Sequence, residues 1–326
     1  MNTIVVSRKN YAIVDTKEKI TVADSFVVRS NKIGGGNGEA KFYIGNDNVE
    51  LRNFFGDHGF ILKCIIRKND LIQYLLDCKS EYEKPEQEYR DKENMPNLWQ
   101  IRYNNIKDLD EVIYFDLIEQ TQIEGPRIYV KSDSKYYKLI RELSLPNITY
   151  VSLIKLKRNN EYFYYLRLFV DYFNDVQHPN EIEKEVEEIE NKNISSEEKK
   201  QLIRAREGQG KYRKALLDEC PFCPITLVSD DRLLIASHIK PWVKSEEHEK
   251  IDPKNGFMFT PTFDFLFDRG FISFTNDKKM LISPWLSKMT CSKLNISPDK
   301  KYAMLPIEGR ENYLEYHRSF IYKTAG

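Results

Sequence analysis

The stretch from Cys220 to Phe274, CPFCPITLVSDDRLLIASHIKPWVKSEEHEKIDPKNGFMFTPTFDFLFDRGFISF, decides how the C-terminal part of the chain is read. LLIAS is a short apolar strand that ends at His238, and Pro241 stops it. A polar loop follows to Lys254. Asn255-Gly256 marks a turn, and FMF behind it is a second strand. Pro261 is placed to open a helix, FDFLFD, which ends at Arg269-Gly270, glycine being a common stop. The order strand, loop, strand, helix brings His238, Asn255 and Asp264 into one small unit. Asp268 lies four residues after Asp264, on the same helical face. A neutral imidazole at a strand end can take a proton from water, and a carboxylate on the facing helix can hold a divalent cation. Together they equip metal-assisted phosphodiester hydrolysis.

Three ordered blocks carry a family likeness: Ser237-His238-Ile239-Lys240-Pro241-Trp242, Asn255-Gly256-Phe257-Met258-Phe259, and Asp264 to Gly270. Upstream, GQGKYR (Gly208 to Arg213) adds a lead-in. The segment resembles an HNH nuclease, the ββα-metal fold, and within it the branch found in bacterial restriction endonucleases. The likeness covers roughly residues 204–285, about a quarter of the chain. It implies roles position by position. His238 is the general base that activates the attacking water. Asn255 is the middle residue, which pins the loop and orients the histidine. Asp264 stands where many HNH enzymes have a last histidine and is a metal ligand, with Asp268 a second candidate. A carboxylate there suits a hard cation, Mg²⁺ or Mn²⁺. Many HNH enzymes carry an acid or histidine ligand just before the base; here that position is Ser237, a poor ligand. The implied mechanism uses one metal and leaves 5′-phosphate and 3′-hydroxyl ends. Lys211, Arg213, Lys240 and Arg269 are the expected DNA-phosphate contacts.

Cys220-Pro-Phe-Cys223 has two readings. Some HNH enzymes hold the unit together with a four-cysteine structural zinc, but no second CxxC is present, and only Cys291 and His248 lie near as further ligand types. The simpler reading is two reduced cysteines. Five cysteines in all, with one close pair, argue against a secreted disulfide framework. His58, His178 and His317 read as surface or core histidines.

Outward from this segment, the composition sets bounds. The chain has 326 residues, 31% charged and 41% hydrophobic, with 50 basic and 50 acidic side chains. Two domains are the default at that length. Zero net charge excludes a globally basic coat but not a local basic face. No membrane-length apolar run occurs. The N-terminus, MNTIVVSRKNYAIVD, lacks the form of a signal peptide, so a cytoplasmic protein is expected.

Residues 1–175 read as a β-rich α+β domain. IVVSRKNYAIV, KFYIGND, VIYFDLIEQ, RIYVKS, ITYVSLIKL and EYFYYLRLFVDYF are strand-like, and Asn69 to Cys78 reads as a helix with Asn69 as its cap. The glycine cluster at residues 34–38 fits no phosphate-loop pattern and reads as a loop. From Glu181 to Glu190 the chain carries a charge of −5 on an amphipathic helix, with Ser195 or Ser196 capping a further helix toward Leu217. Residues 176–203 are thus an acidic helical connector. The remaining residues carry +5, and the surplus falls after residue 200. The expected architecture is an N-terminal β-rich α+β domain, the connector, and an HNH domain over 204–326.

A ββα unit contacts mostly DNA backbone, so the front domain is the expected reader of double-stranded DNA. Cutting both strands needs two active sites, which points to a homodimer. Three functions stay open at this point. One is a type II restriction endonuclease; one is a modification-dependent endonuclease whose front domain reads methylated or hydroxymethylated cytosine; one is a non-cutting DNA-binding protein.

Overall fold

A strand buried on both faces is mostly apolar along its length, and Thr149–Arg158 (TYVSLIKLKR) is buried over its first eight residues, with Thr149, Ser152 and Lys155 the polar ones among them. It lies inside an eight-stranded sheet. The computed structural model describes residues 3–21, 41–85, 89, 92–120, 125–145, 148–170 and 210–325. The chain divides into two compact units, Met1–Phe173 with Ala325–Gly326, and Asn174–Thr324.

In the first unit the strands are β1 (Thr3–Val6), β2 (Lys9–Thr21), β3 (Phe42–Asn46), β4 (Ile61–Arg67), β5 (Val112–Gln120), β6 (Arg127–Lys131), β7 (Thr149–Arg158) and β8 (Glu161–Val170). Their order is β1-β2-β7-β8-β4-β5-β6-β3. Among the described strands only β4 and β8 pair parallel. β5 shows the alternation of a half-covered strand: Ile113, Phe115 and Leu117 point inward, Tyr114, Asp116 and Ile118 outward. The described residues of this unit include five α-helices: α1 (Val49–Phe55), α2 (Lys68–Asp77), α3 (Lys79–Glu83), α4 (Met95–Lys107) and α5 (Lys135–Leu143). Leu71, Tyr74 and Leu75 of α2 and Ile140 and Leu143 of α5 close over Leu62, Cys64, Leu153 and Leu166 of the sheet. Asn69 is not the cap of α2. The helix starts at Lys68, directly off β4, behind the extended Arg67, and no side chain caps it. The strand Ile61–Arg67 runs straight into the helix and leaves no room for a capping turn. True side-chain caps stand at Asn48 and Ser134.

The second unit begins with helical backbone over 210–219 (α6). It continues with β9 (Ile235–His238), α7 (Glu247–Lys250), β10 (Gly256–Phe259), α8 (Pro261–Asp268), β11 (Ile272–Phe274), β12 (Met280–Ile282), α9 (Lys288–Lys293) and α10 (Glu311–Tyr316). Its core is aromatic: Phe257, Phe259, Phe267 and Phe274 are fully buried and their rings meet within about 6 Å. The glycine cluster, the acidic segment 181–190 and its connector, Ser195, Ser196, Gly208 and His178 lie outside the described residues. No helix among the described residues is long and apolar enough to cross a membrane.

His317 belongs to this core. Its ring stacks on Phe267 at 3.9 Å, Nε2–H donates to the Phe267 carbonyl (2.9 Å), and Nδ1 accepts from the Ser273 hydroxyl (3.0 Å). Burial pushes its pKa down to about 4, against the opposing pull of the carbonyl and with help from Arg318. The unfolded chain takes up this proton near pH 6.5, the folded chain only near 4. Stability contributed by the neutral ring is therefore present above pH 6.5 and is lost as the pH falls toward 4. By pH 4.5 the loss is about 2–3 kcal/mol. Urea unfolding of wild type and His317→Gln at pH 7 and 4.5 checks this: wild type should lose more stability than the variant by that amount.

Candidate active site

Two short antiparallel strands and one helix build the site. β9 and β10 pair with Gly256 opposite His238 and Phe257 opposite Ser237. Thr260 precedes α8 and Pro261 opens it, where a missing N–H does no harm. Gly270 ends it at φ +70, and a Cβ there would stand 2.0 Å from the Ile321 carbonyl, so only glycine fits this turn.

The seventeen residues between the strands, 239–255, form a polar loop. Asn255, fully buried, ties it together. Its Oδ1 accepts from the Lys240 amide (2.8 Å), and its Nδ2 lies within reach of the Lys240 carbonyl (3.2 Å), the Glu249 carbonyl (3.1 Å) and Ser245 Oγ (3.2 Å). Its own carbonyl accepts from the Ile239 amide (3.0 Å) and from the Tyr212 hydroxyl (2.9 Å). One carboxamide thus fixes both ends of the loop that carries Lys250.

Lys250 matters because its carbonyl meets His238 Nε2 at 3.0 Å. A carbonyl only accepts, so Nε2 carries the proton and the neutral ring keeps its Nδ1 lone pair. Tyr212 stacks on the imidazole at 4.0 Å and 16°, and Trp242 meets it edge-on at 5.5 Å. Burial lowers the pKa of His238, partly offset by the bond to Lys250. The ring is therefore neutral at physiological pH, oriented, and basic at one nitrogen.

Asp264 lies in the first turn of α8, half-buried, and accepts a hydrogen bond from the Ser237 hydroxyl. Its pKa is pushed up to about 6, first by burial and further by Asp268, while Ser237 and Arg269 pull it down. Asp268 is exposed, with Arg269 Nε 3.8 Å away. Among the described residues no three His, Cys, Asp or Glu side chains gather to hold a metal. A half-buried carboxylate whose nearest partner is a neutral hydroxyl still fits a hard cation, because such an ion takes one or two carboxylates and completes its shell with water and phosphate oxygen. Ser237, 4% exposed, holds the carboxylate in place.

The basic residues divide in two. Arg213 donates to the carbonyls of Leu234 (2.7 Å) and Asp231 (2.6 Å), tying α6 to the turn before β9. Lys240 pairs with Glu249 and lies over the Tyr316 ring. Lys211 is exposed, and Arg269 lies at the C-terminal end of α8 with its guanidinium against Phe265. Cys220 and Cys223 are both buried free thiols; His248 is exposed beside Glu246 and Cys291 is half-exposed.

Two residues that hold the site escape a local reading. Tyr212 sits in the GQGKYR segment, where the basic neighbours draw attention, yet it is the side chain that packs on His238. A Cβ at Gly256 would stand 1.8 Å from its hydroxyl, so this glycine is the space the tyrosine passes through. Arg310, fully buried, donates to the carbonyls of Gly256 (2.9 Å) and Pro253 (3.1 Å) and to Glu219 (2.8 Å). No motif marks it.

Residues 223–275 match the HNH endonuclease family. No curated protein matches the chain. The strand, loop, strand, helix unit around His238 is therefore an HNH endonuclease domain. Nucleases of this family act on DNA, generally with a divalent metal ion.

Proposed function

We propose, from the HNH endonuclease domain at residues 223–275, that the protein is a sequence-specific DNA endonuclease of the type II restriction kind, cutting by a one-metal mechanism. The observation that carries this reading is the His238 imidazole: Nε2–H given to the Lys250 carbonyl, Nδ1 left basic, and the preceding residue bonded to Asp264. In this mechanism His238 Nδ1 takes a proton from water as the water oxygen attacks phosphorus in line. The bond to the 3′ oxygen breaks, that oxygen takes a proton from solvent water, and the ends are left as 5′-phosphate and 3′-hydroxyl. The bond to Lys250 strengthens as the ring becomes cationic, and Asn255 keeps that carbonyl in place. Asp264 would hold the divalent cation, with Asp268 as a second carboxylate, and the cation supplies charge stabilisation for the phosphorane and the departing oxygen. Phosphate positioning falls to Lys211 and Arg269, while Arg213 and Lys240 frame the site. The Met1–Phe173 unit reads the DNA, and two copies of the chain supply the two active sites that a double-strand cut requires.

Cation binding has a readout apart from cleavage. Mg²⁺ or Mn²⁺ should raise the melting temperature of wild type by mass action, worth about 2.7 kcal/mol at a hundredfold excess over Kd. Asp264→Asn should abolish that rise. An equal rise in the variant would remove Asp264 from the binding site.

The function itself is tested by digesting unmodified and cytosine-modified phage DNA with Mg²⁺ or Mn²⁺. Discrete fragments from unmodified DNA alone are expected. Cutting confined to modified DNA would reassign the front unit to reading modified cytosine. No cutting of either would overturn the nuclease reading and leave a binding protein.

A further inference from the structure

α4 (Met95–Lys107) is a helix of the first unit that packs mainly on α2 and α3. Met95 and Ile106 are its buried residues, and Leu98, Trp99 and Tyr103 pack against the core. Trp99 and Tyr103 stack on each other at 4.9 Å and 12°, with Lys79 over the first ring (5.1 Å) and Lys107 over the second (4.5 Å). This side is anchored. The opposite side faces solvent with Asn97, Gln100, Ile101, Asn104 and Asn105.

That outward face is unusual for a solvated helix. In a chain with 50 acidic side chains among 326 residues, the thirteen residues of α4 contain none, and they contain Arg102 and Lys107. The acidic neighbours, Glu93, Asp108 and Asp110, stand beyond its two ends. A solvated face is ordinarily built from Glu and Lys pairs; this one is built from carboxamides, with Ile101 exposed at 53% among them. Residues 97, 100, 101 and 104 follow the i, i+3, i+4, i+7 spacing of a single face.

The carboxamides are also arranged. Gln100 Nε2–H donates to Asn104 Oδ1 at 3.0 Å. That bond leaves Gln100 Oε1 as an acceptor and Asn104 Nδ2 as a donor on the same pair. The major-groove edge of adenine offers the complement, an N6 donor and an N7 acceptor, and its thymine partner presents a methyl group for an apolar contact. Positive charge for the phosphates comes at the end of the face from exposed Lys107, three residues after Asn104, whereas Lys79 belongs to the anchored side, over Trp99 and 3.3 Å from Glu83.

We propose that α4 is the helix that reads duplex DNA in the major groove, with Gln100 and Asn104 on an adenine edge, Ile101 against a thymine methyl, and Asn97 one turn further along. The proposal deepens the sequence-specific nuclease reading and rests on it. A B-form major groove admits one helix, and carboxamide contacts to adenine are worth about 5- to 150-fold in discrimination at each base.

The test separates reading from cutting. Full-length His238→Ala protein is used to select bound duplexes from a randomised pool, prepared once with cytosine and once with hydroxymethylcytosine. The same selection is run with Asn97→Ala, Gln100→Ala and Asn104→Ala added together. These side chains are exposed, so circular dichroism and melting temperature should not change. The expected result is a motif containing A·T pairs for the parent, and loss of preference at those pairs in the variant, by the factor above. Affinity for unrelated duplex DNA should stay within about threefold. An unchanged motif would overturn the role of α4 while leaving site-specific cleavage intact. No motif from the parent in either pool would overturn the reading role altogether, and digestion by wild type, run alongside, shows whether nuclease activity survives that result.

Discussion

His238→Ala is expected to cut DNA at least about 10³-fold more slowly than wild type, with DNA affinity unchanged. The size follows from what the side chain supplies. Bulk water is a poor nucleophile at neutral pH, and a positioned base that accepts its proton in the transition state contributes about 10² to 10⁴ in rate. The Lys250 carbonyl fixes the proton on Nε2 and leaves Nδ1 as the basic nitrogen for the proposed role, and the Tyr212 stack and the edge of Trp242 restrict the ring's plane. None of these contacts involves the charge that binds phosphate, so truncation should lower kcat and leave Kd alone. Single-turnover cleavage of a duplex under saturating enzyme, paired with a binding titration in Ca²⁺, measures both. Loss of affinity equal to the loss of rate would make His238 a binding residue. A loss of less than about tenfold would mean that another group takes the proton.

How far the site can be read without coordinates depends on how local its determinants are. Pro241 and Pro261 act within a few residues of themselves, and Asn255-Gly256 and Gly270 can be read as local stops although the fold also needs the glycines' missing side chains for Tyr212 and Ile321, so the strand, loop, strand, helix order is written directly into 234–270. Asn255 is equally legible as a turn residue, but its three loop partners, Lys240, Ser245 and Glu249, emerge only when the loop closes. Tyr212 reaches a carbonyl 43 residues away, and Arg310 one 54 residues away. Contacts of that range carry no periodic or compositional mark. Arg213 and Lys240 show the opposite difficulty. Their charge suggests phosphate, and the fold gives them the carbonyls of Asp231 and Leu234 and the carboxylate of Glu249. In the first unit the strands are legible through β-branched and aromatic runs, whereas α4 is hidden because its outward face holds Ile101 among amides and so blurs the amphipathic pattern.

Arg310→Ala should destabilise the nuclease unit by about 3–5 kcal/mol, the range for breaking a buried charged pair from one side. The guanidinium is fully buried and serves acceptors in different directions: the carbonyls of Gly256 and Pro253, the carboxylate of Glu219 and, at 3.5 Å, the Glu308 carbonyl. Removing it strands two carbonyls beneath the loop. It also leaves Glu219 with Lys254 as its remaining cation, at 2.7 Å. Glu219 shows how much rests on these partners: burial alone would raise its pKa, yet the hydrogen bonds from Arg310 and Lys254 bring it below the ordinary value. Arg310→Lys should recover little, because a single ammonium cannot span acceptors set out for a planar fork. Typical domain stability is about 5–15 kcal/mol, so the variant stays folded at low temperature and its urea midpoint can be measured. Glu219→Gln should cost less, and the double variant should fall short of the sum, since both lose the same bond. A cost below about 1 kcal/mol for Arg310→Ala would show that the loop holds without it. The two carbonyls at 253 and 256 flank Asn255, and Gly256 pairs with His238 across the strands. Folded Arg310→Ala protein should therefore also cleave more slowly than its folded fraction accounts for, because the fault reaches His238, the proposed base, through the backbone that positions it.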